Sequence, residues 1–126
     1  MKKILLVDDS KLLRTANARM LAKAGYEVLT AGDGEEGLKI VQSQTPDLLV
    51  LDMMLPKLSG VEVLQAVRKN PSTQALPVIV LTSLSEMNRK KIIEEGATDF
   101  VEKSKGLADQ NSSALLQAIA RVFQKG

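Results

Sequence analysis

The chain predicts an α/β fold built on a doubly wound parallel sheet, and three observations carry that prediction. Short apolar runs at residues 4–7, 28–31, 48–51, 78–81 and 100–101 alternate with stretches of helical periodicity, the pattern of successive βαβ units. The runs at 4–7, 48–51 and 78–81 are apolar at nearly every position, as expected of central strands covered by helices on both faces. The runs at 28–31 and 100–101 are weaker and read as flanking or edge strands. Finally, polar residues follow the carboxyl ends of the runs: Asp8 and Asp9, Asp52, Thr82 with Ser83, and Lys103. In an open parallel sheet that end is where ligands bind.

The helices follow from periodicity and punctuation. The first spans about 10–24, with Ser10 as N-cap, Gly25 as stop, and Leu13, Ala16, Met20, Leu21 and Ala24 on its inward face. The second spans about 34–44, capped by Asp33, with Leu38 and Val41 facing inward. The third begins after Gly60, turns Val61, Leu64 and Val67 inward, and ends before Pro71. The fourth covers about 86–95 and stops at Gly96. The fifth covers about 113–124, with Leu115, Leu116, Ile119, Val122 and Phe123 as its apolar stripe. Residues 104–112, holding Lys105, Gly106, Asp109, Gln110 and Asn111, read as a loop with room for a short turn of helix around Leu107.

Composition narrows the function. With 126 residues, 44% of them hydrophobic and 25% charged, the chain fits one domain over residues 1–126 with a substantial core. No apolar run approaches membrane-spanning length. The start Met1-Lys2-Lys3 is followed by only four apolar residues and then two aspartates, so it is no export signal, and a cytoplasmic location follows as the expectation. The chain has 0 Cys and 0 His, which removes disulfides, thiolate chemistry, the usual zinc ligand and the usual general base. A net charge of +2, one Tyr and two Phe give no basis for nucleic-acid binding. The basic run Arg89-Lys90-Lys91 reads as a solvated helix face.

What remains is carboxylates, hydroxyls, lysines and backbone. Carboxylates at the ends of buried strands are costly unless paired or bound to a cation. If the strands are neighbours, Asp8, Asp9 and Asp52 converge and repel one another. A divalent cation relieves this, and Mg²⁺ favours such hard oxygen ligands together with a phosphate oxygen. A carboxylate is then the strongest candidate nucleophile, attacking phosphorus. A lysine and a threonine hydroxyl could steady the transferred group, because phosphoryl transfer is mostly positioning and charge neutralisation.

Motifs in order along nearly the whole chain resemble the receiver domains of two-component response regulators, in the family of chemotaxis-type receivers. They are Val7-Asp8-Asp9-Ser10, Asp52-Met53-Met54-Leu55-Pro56 with Gly60, Leu81-Thr82-Ser83, Gly96-Ala97-Thr98-Asp99-Phe100, and Lys103. Each alone has a plainer explanation: Asp9 as a helix cap, Thr82 as a turn residue, Lys103 as a surface lysine, Phe100 as a core aromatic. Their joint order and spacing is what makes the resemblance specific.

The resemblance implies a flavodoxin-like sheet of strand order 2-1-3-4-5 with five helices. It implies that Asp52 is the phosphoacceptor, and that Asp8, Asp9, Asp52 and the Met54 backbone carbonyl hold Mg²⁺, or Mn²⁺ in its place. Thr82 and Lys103 would contact the phosphoryl group, and Phe100 would be the aromatic switch. A histidine kinase or histidine phosphotransfer protein would be the donor. The fourth helix, fifth strand and fifth helix would face a downstream protein, with no direct role for nucleic acid or membrane. Such a domain is a switch that catalyses only its own phosphorylation and dephosphorylation.

The chain departs from the family pattern in places. Ser104 follows Lys103 where the family usually has proline after a cis bond, and a cis bond before a non-proline residue costs roughly 2.5–4 kcal/mol. The stretch 104–112 is longer than usual and is expected to tune partner choice. Met54 and Leu84 flank the path of the hydrolytic water, and neither side chain can orient one, so slow self-dephosphorylation is expected. Two other functions compete. A haloacid-dehalogenase-type phosphatase also uses aspartate and Mg²⁺, but needs a second aspartate where Met54 stands. A phosphorylation-independent interaction module would have no use for the full acidic set.

Overall fold

The computed structural model describes residues 1–53, 55–82, 89–102 and 108–125, with backbone alone for 82, 89, 102, 108–113 and 125. The elements are β1 (Lys3–Val7), α1 (Lys11–Lys23), β2 (Glu27–Ala31), α2 (Gly34–Gln44), β3 (Leu48–Asp52), α3 (Gly60–Lys69), β4 (Val78–Thr82), α4 (Arg89–Glu94), β5 (Asp99–Glu102) and α5 (Ala108–Lys125). The strands form one parallel sheet in the order β2-β1-β3-β4-β5. β2 and β5 are the edges, as their weaker apolar patterns predict.

Period-2 alternation sends each strand's side chains to two separate cores. Leu5, Val7, Leu49 and Leu51 pack with Val41, Val63, Val67 and Ile92 from α2, α3 and α4. Ile4, Leu6, Leu48 and Val50 pack with Leu21, Leu115, Ala118 and Ile119 from α1 and α5. With helices on both faces, β1 and β3 are closed to solvent from Ile4 to Val7 and from Leu48 to Leu51. Their carboxyl ends are the first points where polar groups can emerge. Among the described residues no helix is long and apolar enough to cross a membrane.

Caps set most helix starts where the sequence places them. The Ser10 hydroxyl accepts from the Leu13 N–H at 3.3 Å. The Asp33 carboxylate accepts from the Glu36 N–H at 2.8 Å. Ser59 and Glu62 form a reciprocal capping box at the start of α3, a signature present in the sequence as Ser-x-x-Glu. Gly25 takes a φ of 99° where α1 stops.

Three expectations need correction. On α1, Ala16 and Ala24 are exposed, whereas Asn17 and Ala18 are half-buried beside the fully buried Leu21. Alanine contributes little apolar area, so the larger Leu13 and Leu21, eight residues apart, fix which face turns inward. On α3, Val63 is fully buried and Val61 only partly. And α5 begins at Ala108, so residues 108–112 are helix and not loop. Their Asp, Asn and Ser are poor interior helix formers, but a first turn accepts them. The rest of the expected loop, 104–107, and the expected start of the fourth helix at residue 86 lie outside the described residues.

Arg68 ties the far side of the fold together. Its Nε donates to the Gly96 carbonyl at 2.9 Å, and its Nη1 donates to the carbonyls of Leu76 at 2.6 Å and Gln74 at 3.1 Å. Partial burial pulls its pKa below the ordinary arginine value. A planar fork can serve several carbonyls at once, and an ammonium cannot reproduce that geometry. Arg68→Ala is expected to lower unfolding stability by about 2–4 kcal/mol, since charge-assisted hydrogen bonds are the stronger class. Urea denaturation measures this, and full recovery by Arg68→Lys would refute the fork argument.

Candidate functional site

β1 and β3 are hydrogen-bonded neighbours, in register from Ile4 opposite Leu48 to Val7 opposite Leu51. The residues that follow, Asp8 and Asp52, therefore stand side by side at one edge of the sheet. Asp8 extends the β1–β2 ladder by one bond, its N–H donating to the Ala31 carbonyl at 3.1 Å. Its carboxylate Oδ1 accepts from the Ser10 N–H at 3.0 Å, which fixes the chain's turn into α1. Asp8 is 0% exposed and Asp52 3%, while Asp9 is exposed.

Asp8, Asp9 and Asp52 each offer a carboxylate oxygen, and these oxygens all lie within 4.8 Å of one another. The chain has neither His nor Cys, so the donor set is all oxygen. Such a set suits a hard divalent cation and does not suit zinc or copper. The arrangement can do two things chemically. It can gather a cation with phosphate oxygens, and it can present a buried carboxylate beside them.

The other expected residues are placed less completely. The Thr82 backbone ends β4, one residue beyond Leu81, the register partner of Asp52. Phe100 lies on β5 opposite Val80, half-buried against the core on the α2, α3 and α4 face. Met54, Ser83, Leu84, Lys103 and the Lys103–Ser104 bond fall outside the described residues.

The loop after β3 carries contacts that sequence reasoning missed. Lys57 adopts a left-handed φ of 68°, and its Nζ reaches Asp33 at 3.6 Å. The Leu58 N–H folds back to the Pro56 carbonyl at 2.8 Å, and the Leu58 carbonyl and Cβ press onto Gly34, where a side chain has no room. The loop thus seats on the N-terminus of α2. The Glu36 N–H first, and then the Lys57 ammonium, hold the Asp33 carboxyl below its ordinary value against some desolvation. Asp33 was legible as a cap. Its second partner was not, because the pairing joins residues far apart in sequence.

Comparison with known proteins agrees with this geometry. The chain is 40% identical over 121 residues to the alkaline phosphatase synthesis transcriptional regulatory protein PhoP of Bacillus subtilis, an alignment covering 95% of this chain and 49% of that protein. It is 41% identical over 104 residues to the transcriptional regulatory protein AfsQ1 of Streptomyces coelicolor, covering 82% of this chain and 45% of that one. It therefore spans about half the length of these regulators. Among solved structures, the chemotaxis response regulator CheY4 of Vibrio cholerae superposes with a TM-score of 0.87 at 34% identity, covering 97% of this chain and 98% of that one. The Mn²⁺-bound form of response regulator Rcp1 superposes with a TM-score of 0.80 at 30% identity, covering 90% and 89%. The family profile described as response regulator receiver domain matches residues 4–119. Two adjacent strands ending in a shared acidic edge, inside a sheet of this order, are thus the local mark of a match that runs almost end to end, and the chain belongs to the response regulator receiver domain family.

Proposed function

We propose that this domain receives a phosphoryl group on Asp52 from the phosphohistidine of a histidine kinase or phosphotransfer protein, with Mg²⁺ bound. The observation that carries this reading is the set of Asp8, Asp9 and Asp52 oxygens within 4.8 Å of one another. A structural relative, response regulator Rcp1, has been solved in a Mn²⁺-bound form, which supports a divalent cation of this size class.

In this reading Asp8 and Asp9 would hold the cation, joined by Asp52 and the Met54 carbonyl, and the cation would supply charge neutralisation for the phosphoryl oxygens. One Asp52 carboxylate oxygen attacks phosphorus. The phosphorus–nitrogen bond to the donor's imidazole breaks, its electron pair staying on nitrogen. The product is an acyl phosphate. Thr82 hydrogen-bonds the transferred group, Lys103 neutralises its charge, and Phe100 reports its presence by changing its packing. The readout face is α4, β5 and α5, where Ile93 is exposed beside the basic Lys90 and Lys91. Met54 and Leu84 leave the hydrolytic water without an orienting side chain, which makes the phosphorylated state long-lived. The domain is a cytoplasmic switch acting on itself.

Incubation with Mg²⁺ and acetyl phosphate, followed by intact mass measurement, tests the assignment. The expected result is one added phosphoryl group, absent without Mg²⁺ and absent in Asp52→Asn. A chain that stays unmodified with full cation present would sink the phosphoacceptor reading. Sustained turnover of small phosphoesters would favour the phosphatase instead.

A further inference from the structure

We propose that Arg14 is a positioning residue for the cation site, acting through the peptide group that joins Asp8 to Asp9; this rests on the metal reading given above. Arg14 closes the first turn of α1, and its side chain runs back toward the strand end. Its Nη1 donates to the Asp8 carbonyl at 2.7 Å in a part-buried setting. That carbonyl belongs to the one peptide plane between the two aspartates. Rotating the plane changes ψ of Asp8 and φ of Asp9, and so swings both carboxylates relative to each other and to Asp52.

Two further observations place Arg14, one for its backbone and one for its guanidinium. The Arg14 N–H donates to the Ser10 carbonyl at 2.8 Å, so the helix that carries Arg14 starts from the residue whose own N–H holds Asp8 Oδ1. On the other side, a Cβ at Gly32 would sit 3.2 Å from Arg14 Nη1 and 3.8 Å from its Cζ. The guanidinium thus lies close against the backbone of Gly32, in the turn into α2. Among the described residues Arg14 forms no ion pair. A cation held by a carbonyl beside three carboxylates is placed for geometry, because as a bare charge it would only compete with a bound metal.

Those two roles predict opposite signs, which makes the proposal testable. Groups that orient metal ligands typically change affinity by about 10–100-fold when removed. Mn²⁺ affinity of the whole chain can be followed by electron paramagnetic resonance of the free ion, with the metal-free melting midpoint recorded in parallel. Arg14→Met keeps the length of the stem and loses the donor. It is expected to weaken Mn²⁺ binding about 10-fold, with Arg14→Lys recovering part of the loss by restoring one donor. Affinity unchanged or tightened in a folded Arg14→Met chain would overturn the proposal, as would a lowered melting midpoint with unaltered affinity, the mark of a purely structural role. If Arg14→Met does not fold, Arg14→Gln replaces it, removing the guanidinium while keeping a polar side chain; weakened Mn²⁺ binding there supports the proposal, and unchanged binding overturns it. Should the unmodified chain bind Mn²⁺ no better than Asp8→Asn, the metal reading fails and this proposal falls with it.

Discussion

Asp52→Asn is expected to make the metal-free domain more stable while ending its phosphorylation. Asparagine is nearly isosteric, so packing at the end of β3 is preserved and the change is mainly one of charge. Asp8, Asp9 and Asp52 offer oxygens within 4.8 Å of one another. At an effective dielectric of 20, two unit charges at that distance repel by about 3 kcal/mol. Solvent around the exposed Asp9, and the Lys103 ammonium in the role proposed for it, offset part of this. A net gain of about 1–2 kcal/mol is expected on removing the Asp52 charge, or a rise in melting temperature of roughly 3–10 °C for a domain of this size. Added Mg²⁺ should then invert the order. A ligand that binds only the folded state stabilises it by mass action, by about 2.7 kcal/mol at a hundredfold excess over Kd. The wild-type midpoint should climb with Mg²⁺ while that of the variant moves little. Circular dichroism melts with and without Mg²⁺ measure both arms. A metal-free variant no more stable than wild type would show that the three carboxylates are already compensated by protein groups, and that the site does not need a cation to relieve it.

The acidic edge was legible because it combines two local signals. An apolar run marks a strand, and an aspartate ending it marks a buried charge; the convergence then follows from strand order alone. The edge strands were legible for the same reason. Other contacts were not, because they depend on packing between distant segments. Arg14 reads in sequence as one more charged position on an amphipathic helix, yet it reaches back to the Asp8 carbonyl. Arg68 reads as a basic residue near a helix end, yet it serves carbonyls from two other segments. The Ala16 and Ala24 assignments failed because small side chains say little about which face is buried. The start of α5 failed because a polar, Asn- and Ser-containing stretch suits a loop or a first helical turn equally well.

Gly60→Ala is expected to damage stability and site together, and a second glycine separates the two effects. Gly60 opens α3, and its N–H donates to the Met53 carbonyl at 3.1 Å. A Cβ there would fall 2.6 Å from the Asp52 carbonyl oxygen and 2.6 Å from Met53 Cα. Both are backbone atoms at the end of β3, so no rotamer change can make room. Either α3 withdraws, breaking the turn set by the Ser59–Glu62 capping box, or the end of β3 shifts and carries Asp52 with it. Overpacking of this kind typically costs about 1–3 kcal/mol. Gly37→Ala provides the comparison. Its Cβ would meet the Val7 side chain, Cγ2 at 2.8 Å, inside the core on the α2, α3 and α4 face. Overpacking there is borne by a side chain, one residue before Asp8, with the Asp8 backbone still held by Ala31 and Arg14. Both variants should lose stability in urea titrations, but only Gly60→Ala should also lose Mn²⁺ affinity and the rate of phosphorylation by acetyl phosphate, each by about 10-fold or more, as expected when a catalytic group is misplaced by a fraction of an ångström to one ångström. Equal loss of affinity in both variants would mean that the site responds to general destabilisation. Loss confined to Gly60→Ala would place the control of Asp52 in the tight approach of α3 to the end of β3.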